Sequence, residues 1–137
     1  EDRLVNLGPL RQDALAAAYL SCDALLHPTL LESFSSAYLE AMHFGRPILT
    51  SDLDFAHEVC GDAAAYFDPW RADAIARALT DLRDDAARRD DLVERGRARV
   101  AHALRTWPEI LRDALSVLEE EGRESCPSGP ILAGAAS

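Results

Sequence analysis

The sequence predicts an α/β fold, a parallel sheet flanked by helices, and three observations support this prediction. Short apolar runs that suit buried strands alternate along the chain with longer segments whose apolar residues recur at helical spacing. Proline tends to follow the strand-like runs and glycine the helical ones. The chain has 137 residues, of which 48% are hydrophobic, enough for one modest globular core.

Four strands are predicted, at residues 4–7, 23–27, 47–50 and 64–67. Because strands alternate with helices, the sheet is expected to be parallel and Rossmann-like. A complete nucleotide-binding sheet of this type usually has more strands. Since the first residue, Glu1, is also not a methionine, we expect the sequence to begin part-way through its domain.

Six helices are predicted, at residues 13–20, 36–44, 54–59, 71–82, 86–104 and 108–121. The first places Leu15, Ala18 and Tyr19 on one face, and the last forms a helical C-terminal extension. Residues 122–137 are small and polar with two prolines, which is typical of a disordered tail. The folded domain is therefore expected to cover residues 1–121.

The charge of the chain argues against a nucleic-acid partner. The net charge is −10, whereas binding to a polyanion requires clustered cations. Five arginines of the segment 86–104 alternate with acidic residues, which is typical of a salt-bridged helix surface; they are Arg88, Arg89, Arg95, Arg97 and Arg99.

The three cysteines, Cys22, Cys60 and Cys126, are widely spaced and form no Cys-x-x-Cys pair. This pattern is typical of reduced thiols in a cytosolic protein. No stretch is long and apolar enough to be a transmembrane segment, and no signal peptide is visible. We therefore expect a cytoplasmic location, with membrane association left open through residues outside the sequence.

The most informative run is 32–42, in which seven residues separate two carboxylates, Glu32 and Glu40. The turn between them is rich in serine and opens a helix whose first backbone N–H groups, at 35–37, are expected to be free. Such groups bind phosphate with the help of the helix dipole. The turn follows a predicted strand, so it belongs to the carboxyl edge of the sheet, where ligands bind.

Glu40 lies on a helix that is otherwise apolar nearly all round, so it is expected to be buried with a partner or to bind a polar ligand such as a ribose. Glu32 lies on the loop at the other side of the turn, where it could hold hydroxyl groups beyond the phosphates. By spacing alone, Glu32 could equally be a solvated loop acid and Glu40 a complement to the helix dipole. The flanking sequence decides between these interpretations.

The run 32–42 resembles the E-x7-E signature of GT-B-fold retaining glycosyltransferases of the family-4 type, usually written E-G-F-G-x-x-x-x-E-A-M. Here it stands as E-S-F-S-S-A-Y-L-E-A-M. Residues 45–51 are similar to the G-x-P-V-V-A-S strand of that family, and residues 58–69 to the segment that follows it. With Trp107, where a tryptophan commonly opens the last helix, the resemblance covers residues 4–118.

The resemblance implies that the chain is part of the C-terminal, sugar-nucleotide-binding domain of such an enzyme. Glu40 would hydrogen-bond the ribose of a nucleoside diphosphate sugar. Glu32 would contact the hydroxyls of the donor sugar and help to orient it for transfer, as the catalytic residue.

The resemblance also implies the other substrate-binding residues. The backbone amides around Phe34, Ser35 and Ser36 would hold the diphosphate, with Ser33 beside them, and Leu10 would lie near the nucleobase. Ser33 and Ser35 replace the usual glycines of the family, and serine disfavours the left-handed backbone that glycine allows.

These enzymes transfer a sugar, here expected to be a hexose, with retained anomeric configuration and generally without a bound metal. The resemblance therefore implies no cofactor, a nucleoside diphosphate sugar donor and an acceptor that the sequence does not identify. The N-terminal acceptor domain and the Arg/Lys pair that neutralises the diphosphate are expected to lie outside the sequence. We therefore expect the chain by itself to be inactive in transfer.

Two other functions stay open: another nucleotide-sugar enzyme of the GT-B type, such as an epimerase, and a non-catalytic interaction module. His27, at the end of a predicted strand, is expected either to be packed or to line the ligand cleft.

Asp52 and Asp54 also match the D-x-D metal motif of the unrelated GT-A glycosyltransferases, with His57 and Glu58 nearby. The simpler interpretation is that one of the two aspartates caps the helix that follows. We prefer it because the rest of the chain fits GT-B.

Overall fold

The computed structural model describes residues 4–103 and 107–124, which fall in two compact units, 1–103 and 104–137. The first unit contains three strands and five helices: α1 (Gln12–Ser21), β1 (Leu25–His27), α2 (Ser36–His43), β2 (Ile48–Ser51), α3 (Asp54–Cys60), β3 (Ala64–Phe67), α4 (Ala72–Asp84) and α5 (Ala86–Ala103). In the second unit, α6 (Trp107–Glu124) is the described helix.

The three strands form a parallel sheet in the order β1-β2-β3, and the α/β, Rossmann-like fold is confirmed. All four residues of the central strand β2 are buried. Burial along the whole length is typical of a parallel strand that is covered on both faces. Pro47 precedes this strand and Ser51 ends it, one residue later than predicted.

Two apolar clusters cover the two faces of the sheet. One joins Tyr38, Ala41 and Met42 of α2 to Ile48 and to residues of α3 and α5. The other joins Leu49, Ala65 and Phe67 of the strands to Leu82 of α4 and Leu92 of α5. Successive strand residues point to opposite faces, so Ile48 and Leu49 belong to different clusters.

The end of α2 has a local structure that its sequence dictates. Gly45 adopts a positive φ of 64° directly after the helix. Its N–H donates to the carbonyl of Met42, and the N–H of Arg46 donates to that of Ala41, which is the Schellman arrangement. Gly96 of α5 packs directly on Met42, where an added Cβ would meet the side chain at 3.1 Å. Together these contacts fix α2 against the sheet and against α5.

The arginines of α5 bind other parts of this unit. Arg95 forms an ion pair with Asp91 at 2.9 Å. Arg99 donates to the carbonyl of Val59, and Arg89 to a carbonyl of the last turn of α4, so both cations neutralise the negative end of a helix dipole. The predicted salt-bridged surface is thus found at Arg95, while Arg89 and Arg99 bind backbone carbonyls instead.

The predicted strand at residues 4–7 is wrong. The segment forms no strand, and Leu4, Val5 and Leu7 are exposed by 92%, 79% and 63%. Apolar residues make a strand only where a neighbouring strand accepts and donates backbone hydrogen bonds, and the described sheet ends at β1.

The helix predicted at residues 108–121 is longer at both ends in the structure, because α6 begins at Trp107 and ends at Glu124. The rest of the predicted tail, 125–137, lies outside the described residues, as does Cys126. Among the helices that the structure describes, none combines the length and the apolarity needed to cross a membrane.

Candidate active site

The carboxyl ends of the strands bring three polar residues into one row. The strand register places His27 beside Thr50 and Thr50 beside Tyr66, on one face of the sheet. The loop 28–35 leaves β1 at this edge and leads into α2, which starts at Ser36 as predicted. The run with the two carboxylates therefore lies where ligands bind in open parallel sheets.

Glu32 lies on this loop beside the ring of His27. Its Oε1 is 3.2 Å from His27 Nε2, and both side chains are about three-quarters buried, with exposed fractions of 29% and 25%. His27 Nε2 is also 3.3 Å from the Oγ of Ser35, a residue that is 93% buried at 7% exposure. The structure thus brings Glu32 and Ser35 together around one nitrogen atom.

The first turn of α2 has no side-chain cap. Ser35 occupies the N-cap position, where a serine hydroxyl usually accepts a hydrogen bond from the helix N–H groups. Its hydroxyl faces His27 instead. The backbone N–H groups of Ser36 and Ala37 therefore receive no side-chain acceptor within the described residues, and Ser33 and Phe34, which precede them, are exposed.

Glu40 lies one turn further along α2 and is half-buried. Its Oε2 accepts a hydrogen bond of 3.0 Å from the hydroxyl of Tyr19 on α1. The Tyr19 ring stacks on Phe44 with 5.4 Å between the ring centroids. Burial, and then the neighbouring carboxylate of Glu40, raise the pKa of Tyr19, so this phenol stays protonated as a donor. The partner that a carboxylate on an apolar helix requires is therefore Tyr19.

Leu10 lies outside the loop 28–35 and α2, the two segments that carry the glutamates. It is 43% exposed, in a segment before α1 where Gly8 donates its N–H to the side chain of Asn6. The structure records no hydrogen bond between residues 4–11 and the loop 28–35. Leu10 is thus not brought together with the two carboxylates by any polar contact of the described residues.

The predicted cap of α3 is wrong. The N-cap position belongs to Leu53, Asp54 is the first helical residue, and no side chain caps the helix. Asp52 instead faces His57, with 2.6 Å between Oδ1 and Nε2, because His57 lies one turn into α3 and its ring stacks on Tyr66. Within the part of the chain that the structure describes, no three His, Cys, Asp or Glu side chains converge as metal ligands would.

A cavity of about 520 Å³ opens at the opposite, amino edge of the sheet, between residues that precede β1 and β2 and residues of α4 and α5. Its charged lining mixes both signs, from Asp23 and Asp90 to Arg46, Arg83 and Arg89. In open parallel sheets, ligands bind at the carboxyl edge. The candidate site is therefore the edge with the two glutamates.

Sequence reasoning missed the role of Tyr19 and left the position of His27 open. Tyr19 shares an apolar helical face with Leu15 and Ala18, which suggests ordinary packing. The available signal was indirect: a lone carboxylate on an apolar helix needs a donor, and a tyrosine on a preceding apolar helix is one of few groups able to supply it.

Residues 1–99 match the family model described as glycosyl transferases group 1. Over 83 residues, the chain is 36% identical to the O-antigen chain mannosyltransferase B of Escherichia coli; the match covers 60% of this chain and 22% of that protein. The structure of this chain resembles that of sucrose-phosphate synthase from Thermosynechococcus elongatus, with a TM-score of 0.72 and 25% sequence identity. The match covers 87% of this chain and 30% of the synthase chain. The chain thus spans less than a third of the length of these relatives.

Proposed function

Because the chain belongs to the group 1 glycosyl transferases, we propose that the polypeptide carrying it transfers a sugar from a nucleoside diphosphate sugar to an acceptor, with retention of anomeric configuration. The donor binds at the carboxyl edge of the sheet, on the loop 28–35 and the start of α2. The observation that carries this proposal is an uncapped helix N-terminus, with Glu32 on the loop before it and Glu40 one turn into the helix.

The diphosphate binds at the first turn of α2. The N–H groups of Ser36 and Ala37 point out of the helix end, and the exposed side chains of Ser33 and Ser36 are small enough for a ligand to approach the backbone. During transfer, the bond between the anomeric carbon and the diphosphate oxygen breaks, and negative charge grows on the leaving diphosphate. The positive end of the helix dipole stabilises that charge.

The two glutamates bind hydroxyl groups on either side of the diphosphate. Glu40 uses one oxygen for Tyr19, which leaves the other oxygen to accept hydrogen bonds from a ribose. Glu32 accepts hydrogen bonds from the hydroxyls of the donor sugar and so orients its anomeric carbon towards the acceptor. Leu10 contributes an apolar contact to the nucleobase.

We propose a hexose as the transferred sugar, since the similar Escherichia coli protein is named a mannosyltransferase. The acceptor binds across the cleft, on residues outside this sequence, in line with the share of the relatives that the chain covers.

Donor binding and transfer by the complete natural polypeptide test this function. Calorimetry with nucleoside diphosphate hexoses, mannose donors among them, is expected to detect binding that free hexose does not show. NMR of the product is expected to give the anomeric configuration of the donor. Failure of every nucleoside diphosphate sugar to bind would overturn the proposed function, whereas an inverted product would overturn retention alone.

A sugar that is isomerised without transfer would support an epimerase instead.

For substitutions at Glu32 and Glu40, the matched control is Glu94→Gln, which removes an exposed carboxylate on α5 and should leave binding and transfer unchanged.

A further inference from the structure

We propose that His27 is the positioning residue of Glu32: its Nε2–H donates to Oε1 of Glu32 and fixes the carboxylate that meets the donor sugar. This inference rests on the proposed function. It goes beyond it because it assigns to His27 a task that neither the family match nor the E-x7-E run contains.

The ring of His27 is held by the buried core. It meets the fully buried ring of Tyr38 edge-on, with 5.1 Å between centroids and 85° between planes. The hydroxyl of Thr50, also fully buried, donates to the backbone carbonyl of His27 at 3.1 Å. Tyr38 and Thr50 are joined in turn by a hydrogen bond of 2.6 Å. Both the backbone and the ring of His27 are therefore fixed before any ligand binds.

Glu32 itself has no such support. It lies on a loop without helix or strand, and His27 is the one side chain of the described residues with a hydrogen bond to its carboxylate. A group that meets reacting atoms must be held within a fraction of an ångström, because a small misplacement costs much of the rate. His27 supplies that support from the rigid end of β1.

The chemistry of the imidazole nitrogen decides what His27 does. A carboxylate only accepts hydrogen bonds, so the contact with Glu32 requires a proton on Nε2. The Ser35 hydroxyl, 3.3 Å from the same nitrogen, could donate to it only in the other tautomer. The negative charge of Glu32 favours the form with Nε2–H. His27 therefore donates its Nε2–H to Glu32, and the Ser35 hydroxyl does not donate to this nitrogen.

Two amide substitutions of His27 test whether the donor must lie at the place of Nε2 or whether any polar side chain is enough. In His27→Gln, the side-chain amide reaches the place of Nε2 and retains the donor, whereas in His27→Asn it stops short of Glu32. We expect His27→Gln to keep kcat within about threefold of the parent, and His27→Asn to lower kcat by about tenfold to a hundredfold with little change in the donor KM. Thermal unfolding of both variants reports on the fold. Equal kcat values for the two variants, whether parental or reduced, would overturn the proposal.

A double variant shows whether His27 acts through Glu32. Once Glu32→Ala has removed the carboxylate and both of its acceptor oxygens, adding His27→Asn is expected to lower kcat no further, because the group that it positions is gone. A further tenfold loss would overturn the proposal while leaving the transferase function standing. A parental kcat in Glu32→Ala would instead overturn the role of Glu32 on which the inference rests. The matched control is His43→Asn, at an exposed histidine on α2, and it should leave kcat and the donor KM unchanged.

Discussion

Glu32 and Glu40 are residues of the same type in one short run, but the fold gives them different partners. Glu32 lies on a loop beside the imidazole of His27, while Glu40 lies on a helix and accepts from the phenol of Tyr19. His27 belongs to the end of β1, whereas Tyr19 belongs to α1, where burial raises the pKa of its phenol and keeps it a neutral donor. The loop carboxylate thus depends on one side-chain contact for its position, while the helix carboxylate is also held by its helix.

The largest effect is expected at Glu32. Glu32→Gln keeps the size of the side chain but removes the negative charge, so kcat of the complete natural polypeptide is expected to fall about a hundredfold or more. The donor KM and the unfolding temperature should change little, since the residue lies on a partly exposed loop. Steady-state kinetics check this, with Glu94→Gln as the control. A variant that loses donor binding but not turnover would contradict the division of roles.

Glu40→Gln is expected to act on binding. The hydroxyl of Tyr19 can still donate to the amide oxygen, so the packing of α2 against α1 is retained. A hydrogen bond from the ribose to a charged group is replaced by a weaker one, a loss of about 1.5 kcal/mol or more, which is roughly tenfold in affinity. Calorimetric Kd and the donor KM should rise together while kcat stays within about threefold. An unchanged Kd would remove Glu40 from the ribose site.

How far the sequence predicts this site depends on how local each feature is. The start of α2 and its end at Gly45 could be predicted, because a serine-rich turn, an apolar helical pattern and a glycine act within a few residues. The partners of the two glutamates could not. Tyr19 lies 21 residues from Glu40, and the direction of its side chain depends on how α1 packs on α2.

The same argument applies to the sheet. The central strand β2 is buried on both faces, and its apolar pair Ile48 and Leu49, followed by the β-branched Thr50, predicts it well. Residues 4–7 have a similar composition but no neighbouring strand within the described residues, so the same local signal fails there. Likewise, Asp52 turns to His57 instead of capping α3, because the ring of His57 is held in place by Tyr66.

A smaller effect is expected when the donor to Glu40 is removed. Tyr19→Phe deletes one hydroxyl and keeps the stacking on Phe44. Glu40 then loses the contact that fixes it, and the donor KM is expected to rise a few-fold, consistent with about 1 kcal/mol for one hydrogen bond. Tyr66→Phe, whose hydroxyl donates to the carbonyl of Gly61, is the matched control and should alter stability alone. Equal KM changes in both variants would mean that Tyr19 acts only through packing.

The smallest kinetic effect is expected at Thr50, a fully buried residue of β2. Thr50→Val keeps the shape but removes the hydroxyl that bonds Tyr38 and the carbonyl of His27, and it leaves the buried Tyr38 hydroxyl without that partner. The free energy of unfolding should fall by about 1–3 kcal/mol, measured by urea titration. Because the lost bonds support His27 and not Tyr19, any kinetic change should appear in kcat, by less than about threefold, with the donor KM unchanged. A rise in KM instead would show that the two glutamates share one support and that their environments are not independent.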